Sequence, residues 1–138
     1  MELRFHIQGS DFSRAGAASS EVKKVLKQIN VPSDIVKRIV VALYEAEVNM
    51  VAHAWEGDMI VNIHPDRIEA QFTDRGPGIP DIELAMQAGY STASPQVREM
   101  GFGAGMGLPN IRKNTDMLSI NSTVGVGTDV KFTVYFKH

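Results

Sequence analysis

The sequence predicts an α+β fold, a two-layer sandwich of helices on a β-sheet, and three observations predict it. Polar and apolar residues alternate near both ends of the chain, as they do in half-buried strands. Two stretches between residues 12 and 54 carry apolar residues at helical spacing instead. These helices stand apart from strands that read as hairpins, which argues against a doubly wound parallel sheet. With 138 residues, 43% of them hydrophobic, the chain suffices for one two-layer core, and we read residues 1–138 as one domain.

The elements follow in order. Leu3, Phe5 and Ile7 mark an opening strand, and Gln8-Gly9-Ser10-Asp11 supplies turn and cap residues. Phe12, Ala15, Val22, Val25, Leu26 and Ile29 predict a helix that ends at Asn30-Val31-Pro32. Ser33 caps a second helix, whose apolar stripe of Ile35, Ile39, Leu43, Ala46 and Met50 runs to about Ala54. Val41, Val48 and Val51 lie off that stripe, which fits either a helix covered on two sides or a homodimer contact. Met59 to Ile63 and Arg67 to Asp74 form a hairpin around Pro65-Asp66.

Turn-rich sequence then runs from Arg75 to Gly107, with seven of the twelve glycines, three of the six prolines and one short helix near Ile82 to Gln87. So long a loop in a compact domain usually binds or covers something. Leu108 to Met117 reads as a helix, and Leu118 to Thr123 and Asp129 to Phe136 as closing strands around Gly125-Val126-Gly127.

A formal charge of −2 gives no broad attraction to nucleic acid or to an anionic membrane. Zero cysteines exclude disulfides and thiolate metal sites, in keeping with a cytoplasmic location. The first residues lack a signal-peptide pattern, and no apolar run approaches the roughly 18 residues of a membrane span.

Three constellations carry chemistry. Glu45, Asn49 and His53, four residues apart on the second helix, form one row beside its apolar stripe. An Asn amide oxygen suits Mg²⁺, and Glu45 can accept a proton from an attacking hydroxyl, although a solvated polar flank has the same spacing. Asp74 is in phase with Ile68, Ala70 and Phe72 and opens the turn Asp74-Arg75-Gly76-Pro77-Gly78-Ile79. A carboxylate at a strand end, followed by glycines that admit a ligand, suits a purine amine; a plain Asp-x-Gly turn is the other reading. Gly101, Gly103, Gly105 and Gly107 alternate just ahead of a helix, a pattern that lets backbone amides face phosphates.

Neither GxGxxG nor a Gly-Lys-Ser/Thr P-loop is present, so the dinucleotide fingerprint and the Walker motif do not apply. The histidines His6, His53, His64 and His138 lack HExxH spacing, and there is no GxSxG elbow.

Taken in order, Glu45xxxAsn49xxxHis53, Asp74xGlyxGly78, Gly103xGly105xGly107Leu108 and Gly127Thr128 resemble the four-box signature of the GHKL superfamily of ATPases. The resemblance runs from about Ile35 to Phe136. It implies the Bergerat (histidine kinase-like) ATP-binding fold, a mixed sheet with helices on one face. Only 44 residues precede Glu45 and ten follow Thr128, which leaves no room in this sequence for a phosphoacceptor or transducer domain. The chain is therefore most similar to the free-standing serine/threonine kinases and anti-sigma factors of bacterial partner switching, the RsbW, SpoIIAB and RsbT type. His53-Ala54-Trp55, Gly78-Ile79-Pro80-Asp81, Gly89-Tyr90-Ser91-Thr92 and Gly105-Met106-Gly107-Leu108-Pro109 echo that family.

The resemblance implies ATP and Mg²⁺ as cofactors, with Asn49 as the metal ligand and Glu45 as the catalytic base. It places Asp74 on the adenine amine with Thr128 in support, and it makes Gly76, Gly78 and Ile79 walls of the base pocket. Gly101, Gly103, Gly105, Gly107 and Leu108 would form a lid over the triphosphate, with His53 beside it and Arg98 as a γ-phosphate ligand. The expected activity is phosphorylation of a STAS-domain antagonist protein, with a sigma factor as a second partner. The alternative is a nucleotide-gated binding module without turnover.

Overall fold

A computed structural model describes residues 1–87 and 107–137. Strand β1 (Glu2–Gln8) leads through a single 3-10 turn (Phe12–Arg14) to helix α1 (Ala17–Gln28) and the long helix α2 (Ser33–His53). Strands β2 (Glu56–Ile63) and β3 (Arg67–Arg75) follow, then the short helix α3 (Ile82–Ala85). Helix α4 (Gly107–Lys113) and strands β4 (Met117–Thr123) and β5 (Gly127–Tyr135) complete the described chain.

The five strands lie in the order β1-β2-β3-β5-β4. All four pairings are antiparallel, where the resemblance implies a mixed sheet. Connectivity explains the difference. Both β2-β3 and β4-β5 are hairpins, and β5 inserts between β3 and β4, so β3 and β4, which run parallel, never touch.

Register builds the core in rows across the sheet. Phe5, Met59, Phe72, Val130 and Ile120 stand side by side, and so do Leu3, Val61, Ala70, Phe132 and Leu118. The rings of Phe72 and Phe132 lie 6.1 Å apart between adjacent rows. Positions one residue off, such as Glu69, Gln71, Thr73 and Lys131, face the other way and are polar, so one face carries the helices. Helix α2 crosses that face over β1, β2 and β3, with α1 along one flank and α4 along the other.

Three predicted boundaries shift. The first helix does not run unbroken from Phe12, because Gly16 adopts a left-handed conformation (φ +90°) that ends the 3-10 turn and restarts the chain as α1. Ser33 is not a cap: Pro32 holds the cap position, its carbonyl accepts the Val36 N–H, and Ser33 is the first helical residue. Helix α4 stops at Lys113, short of Met117, because the Asp116 N–H already pairs with the Thr133 carbonyl.

The stripe of α2 is buried as predicted, with Ile39 and Leu43 wholly inaccessible. Of the three off-stripe valines, Val48 and Val51 are buried and Val41 is exposed. No described helix is long and apolar enough to cross a membrane.

Candidate functional site

Asp74 stands on the helix-covered face of the sheet, in the row Ile7, Gly57, Asp74, one step beyond the last fully apolar row. It is half-buried, and its Oδ1 accepts a 3.0 Å hydrogen bond from the Thr128 N–H on β5. Burial raises its pKa above the ordinary carboxylate value; the Thr128 N–H and then Arg75 oppose that shift, and Asp129 adds to it. The Oδ2 atom makes no hydrogen bond within the described residues and is left as an acceptor for a ligand.

Beside Asp74 the backbone is close-packed where side chains are missing. A Cβ on Gly76 would come within 3.1 Å of Ala54 Cα and 3.4 Å of Asp74 Oδ1. Gly78 has φ +78°, and a Cβ there would meet the Thr123 carbonyl oxygen at 2.5 Å. The Ile79 N–H donates to Ser122 Oγ at 2.7 Å, and that hydroxyl lies 2.9 Å from Thr128 Oγ1 and 3.1 Å from the Gly127 carbonyl oxygen. Ser122 thus ties the turn after β3 to β5. The sequence reading missed it, although its even spacing from Ile120 and Leu118 was the signal that it faces inward.

Glu45 and Asn49 are half-buried on the flank of α2 that meets α4. A Cβ on Gly107 would lie 3.0 Å from both Nδ2 and Oδ1 of Asn49, so the start of α4 packs directly against this amide and a side chain there would have to displace it. One turn away, the Asn110 amide donates to Glu45 Oε1 at 3.4 Å. The sequence analysis did not single out Asn110. His53 ends α2 and is partly buried, which holds its imidazole below the ordinary value of 6.5. The Leu108 side chain is buried in the core, so it anchors α4 and leaves only its backbone for a ligand. Arg98, Gly101, Gly103 and Gly105 lie outside the described residues.

These residues fit a magnesium-bound nucleotide. Asn49 offers a hard amide oxygen and Asp74 a carboxylate oxygen at the sheet end, while Gly76 and Gly78 let the turn after β3 pack closely against Ala54 and Thr123. Among the described residues no group of three His, Cys, Asp or Glu side chains could hold a metal unaided. A separate cavity of about 670 Å³ lies between β1 and the start of α1, lined in part by Arg4, His6, Arg14 and Glu21, and it includes none of the candidate site residues.

An antiparallel sheet under one layer of helices, with an Asn-bearing helix beside a strand-end Asp and paired glycine turns, defines an ATPase domain of the histidine kinase type. Residues 10–134 match the histidine kinase-like ATPase domain, and the chain belongs to that family. It is 31% identical over 119 residues to the serine/threonine-protein kinase RsbT of Bacillus subtilis, covering 83% of this chain and 84% of that one. It is 32% identical, over 98% of its length and 92% of the relative's, to the anti-sigma F factor of Caldanaerobacter subterraneus. The anti-sigma F factor of Pasteuria penetrans is 38% identical over 93 residues, 62% of this chain and 59% of that one.

Proposed function

We propose that this protein is an ATP-dependent serine/threonine kinase of a bacterial partner-switching system, acting in the cytoplasm on a STAS-domain antagonist. In this reading a sigma factor is a second partner, and residues 1–138 work as one ATPase domain. The observation that carries it is the meeting of Glu45 and Asn49 on α2 with Gly107 and Asn110 on α4, while Asp74 and Thr128 join at the sheet end. The relatives support it, since one is named a serine/threonine-protein kinase and others anti-sigma F factors.

The chemistry assigned to the residues is as follows. Asp74 Oδ2 accepts from the adenine amine, and the Thr128 N–H keeps Oδ1 in place. Gly76 and Gly78 let the turn beside Asp74 pack closely against Ala54 and Thr123, which fixes the wall of the base site, and Asn49 with Gly107 receives the phosphates. Asn49 would hold magnesium, which when bound would neutralise phosphate charge. Glu45 takes the proton of a serine or threonine hydroxyl as its oxygen bonds to the terminal phosphorus. The bond from that phosphorus to the bridging oxygen breaks, and ADP leaves with the charge. Positioning supplies most of the rate in such transfers.

Incubation with labelled ATP, Mg²⁺ and the STAS protein encoded beside the gene tests this. Label should pass to a serine or threonine, and Glu45→Ala should stop transfer while ATP still binds. Transfer that survives this substitution removes Glu45 as the base. The second reading, a nucleotide-gated binding module, is favoured by the anti-sigma names of several relatives. Tight ATP binding without transfer to any co-encoded partner would select it.

A further inference from the structure

Helices α2 and α4 run antiparallel where they touch. Gly107 sits against Asn49, and three residues further along α4 Asn110 reaches Glu45, four residues back along α2. One short helix thus contacts both the residue assigned to the metal and the residue assigned to the proton. The Asn110 backbone is fixed: its carbonyl oxygen accepts the Asn114 N–H at 3.2 Å and the Asn114 side-chain amide at 2.8 Å. Asn110 and Glu45 are both half-buried, which limits the water that could replace their contact.

We propose that Asn110 is a positioning residue for Glu45. Its amide lies 3.4 Å from Oε1, longer than a standard N–H···O bond and able to tighten when substrate binds, which would leave Oε2 for the substrate hydroxyl. Because α4 begins at the last of the alternating glycines, any shift of that helix during nucleotide binding changes this contact and the placement of Asn49 together. A carboxylate left to rotate would spend less time in the geometry that accepts the proton, and the loss would fall on the chemical step and not on nucleotide binding. This inference rests on the reading of Glu45 as the base.

Two measurements test it. In ¹⁵N-labelled protein without nucleotide, the Asn110 side-chain amide resonances should move on Glu45→Ala; unmoved resonances overturn the contact. In single-turnover transfer from Mg-ATP to the STAS protein, Asn110→Ala should lower the rate roughly tenfold, the equivalent of one hydrogen bond to a charged group. ATP affinity and Tm should hold. Asn110→Asp should cost more, by repelling the carboxylate, and Asn110→Gln should recover part of the rate. In a Glu45→Gln background Asn110→Ala should have little further effect. A rate unchanged in Asn110→Ala, or a fall that adds in full to that of Glu45→Gln, overturns the proposal while leaving the base reading intact. Full transfer by Glu45→Ala overturns both.

Discussion

The Glu47 carboxylate and the Ser19 hydroxyl lie 2.6 Å apart in the interior, joining α2 to the first turn of α1. Glu47 Oε1 also accepts the Ser19 N–H at 2.9 Å, and Oε2 accepts the N–H groups of Gly16 at 2.9 Å and Ala18 at 3.3 Å. With 1% of its surface exposed, Glu47 is a buried acid whose hydrogen bonds come from the unpaired donors at the start of α1. Glu47→Ala strands those donors in the core and should cost about 3–5 kcal/mol. Urea unfolding should show a midpoint far below that of Glu45→Ala, which removes a half-buried carboxylate from the same helix. Equal midpoints would show that Glu47 contributes no more than an average surface acid.

This contact marks where sequence reading ends. The stripe of α2, the β2-β3 hairpin and the inward phase of Asp74 follow from local periodicity, which two or three turns of chain suffice to display. Glu47 sits four residues after Leu43 and four before Val51, both buried, so a charge on the apolar face was visible. Its partners were not, because they lie 28 to 31 residues away and face it only after Gly16 breaks the helix. Ser122 and Asn110 escaped for the same reason. Their roles depend on which elements meet across the fold, and neither belongs to a spaced motif.

If Asp74 binds the base as proposed, nucleotide binding and stability oppose each other at this residue. Its folded pKa is raised by burial, so the cost of the charged form is absent below the ordinary value near 3.8 and grows as pH rises through the raised value. Asp74→Asn removes that cost and can still accept the Thr128 N–H. The variant should therefore be more stable than the wild type at pH 7, with the difference closing as pH falls toward 4. Its amide nitrogen would face the adenine amine donor to donor, so ATP affinity should drop by about 10–100-fold, the equivalent of one charged hydrogen bond. Calorimetric titration and melting curves at pH 7 and pH 4.5 read both effects. A variant that binds ATP as tightly as the wild type removes Asp74 from the base pocket.

Gly107, half-buried at the start of α4, should be sensitive to any added side chain. A methyl group there lies 3.0 Å from the Asn49 amide and must push either that side chain or α4 aside. Gly107→Ala favours the helix intrinsically by about 0.8–1 kcal/mol, so the fold should survive. Mg-ATP binding should weaken at least several-fold, whereas adenosine, which lacks phosphates, should bind as before. Equal losses for both ligands would mean that the methyl disturbs the whole cleft and not the Asn49 end.

His53 gives the fold an acid-sensitive point at the end of α2. Burial lowers its pKa below 6.5, so the neutral ring is favoured in the folded protein and the proton is favoured in the unfolded chain. The stability it contributes is complete above about pH 6.5 and drains away as pH falls through the lower folded value. His53→Gln keeps a polar side chain that does not titrate in this range. Plots of unfolding free energy against pH for the two proteins should run parallel between pH 7 and 8 and diverge below 6.5, the wild type falling faster. If Mg-ATP flattens the wild-type decline, the bound ligand prefers the protonated ring, which places His53 within reach of the nucleotide's phosphates; a decline that ATP leaves unchanged makes this histidine a structural end to the helix and nothing more.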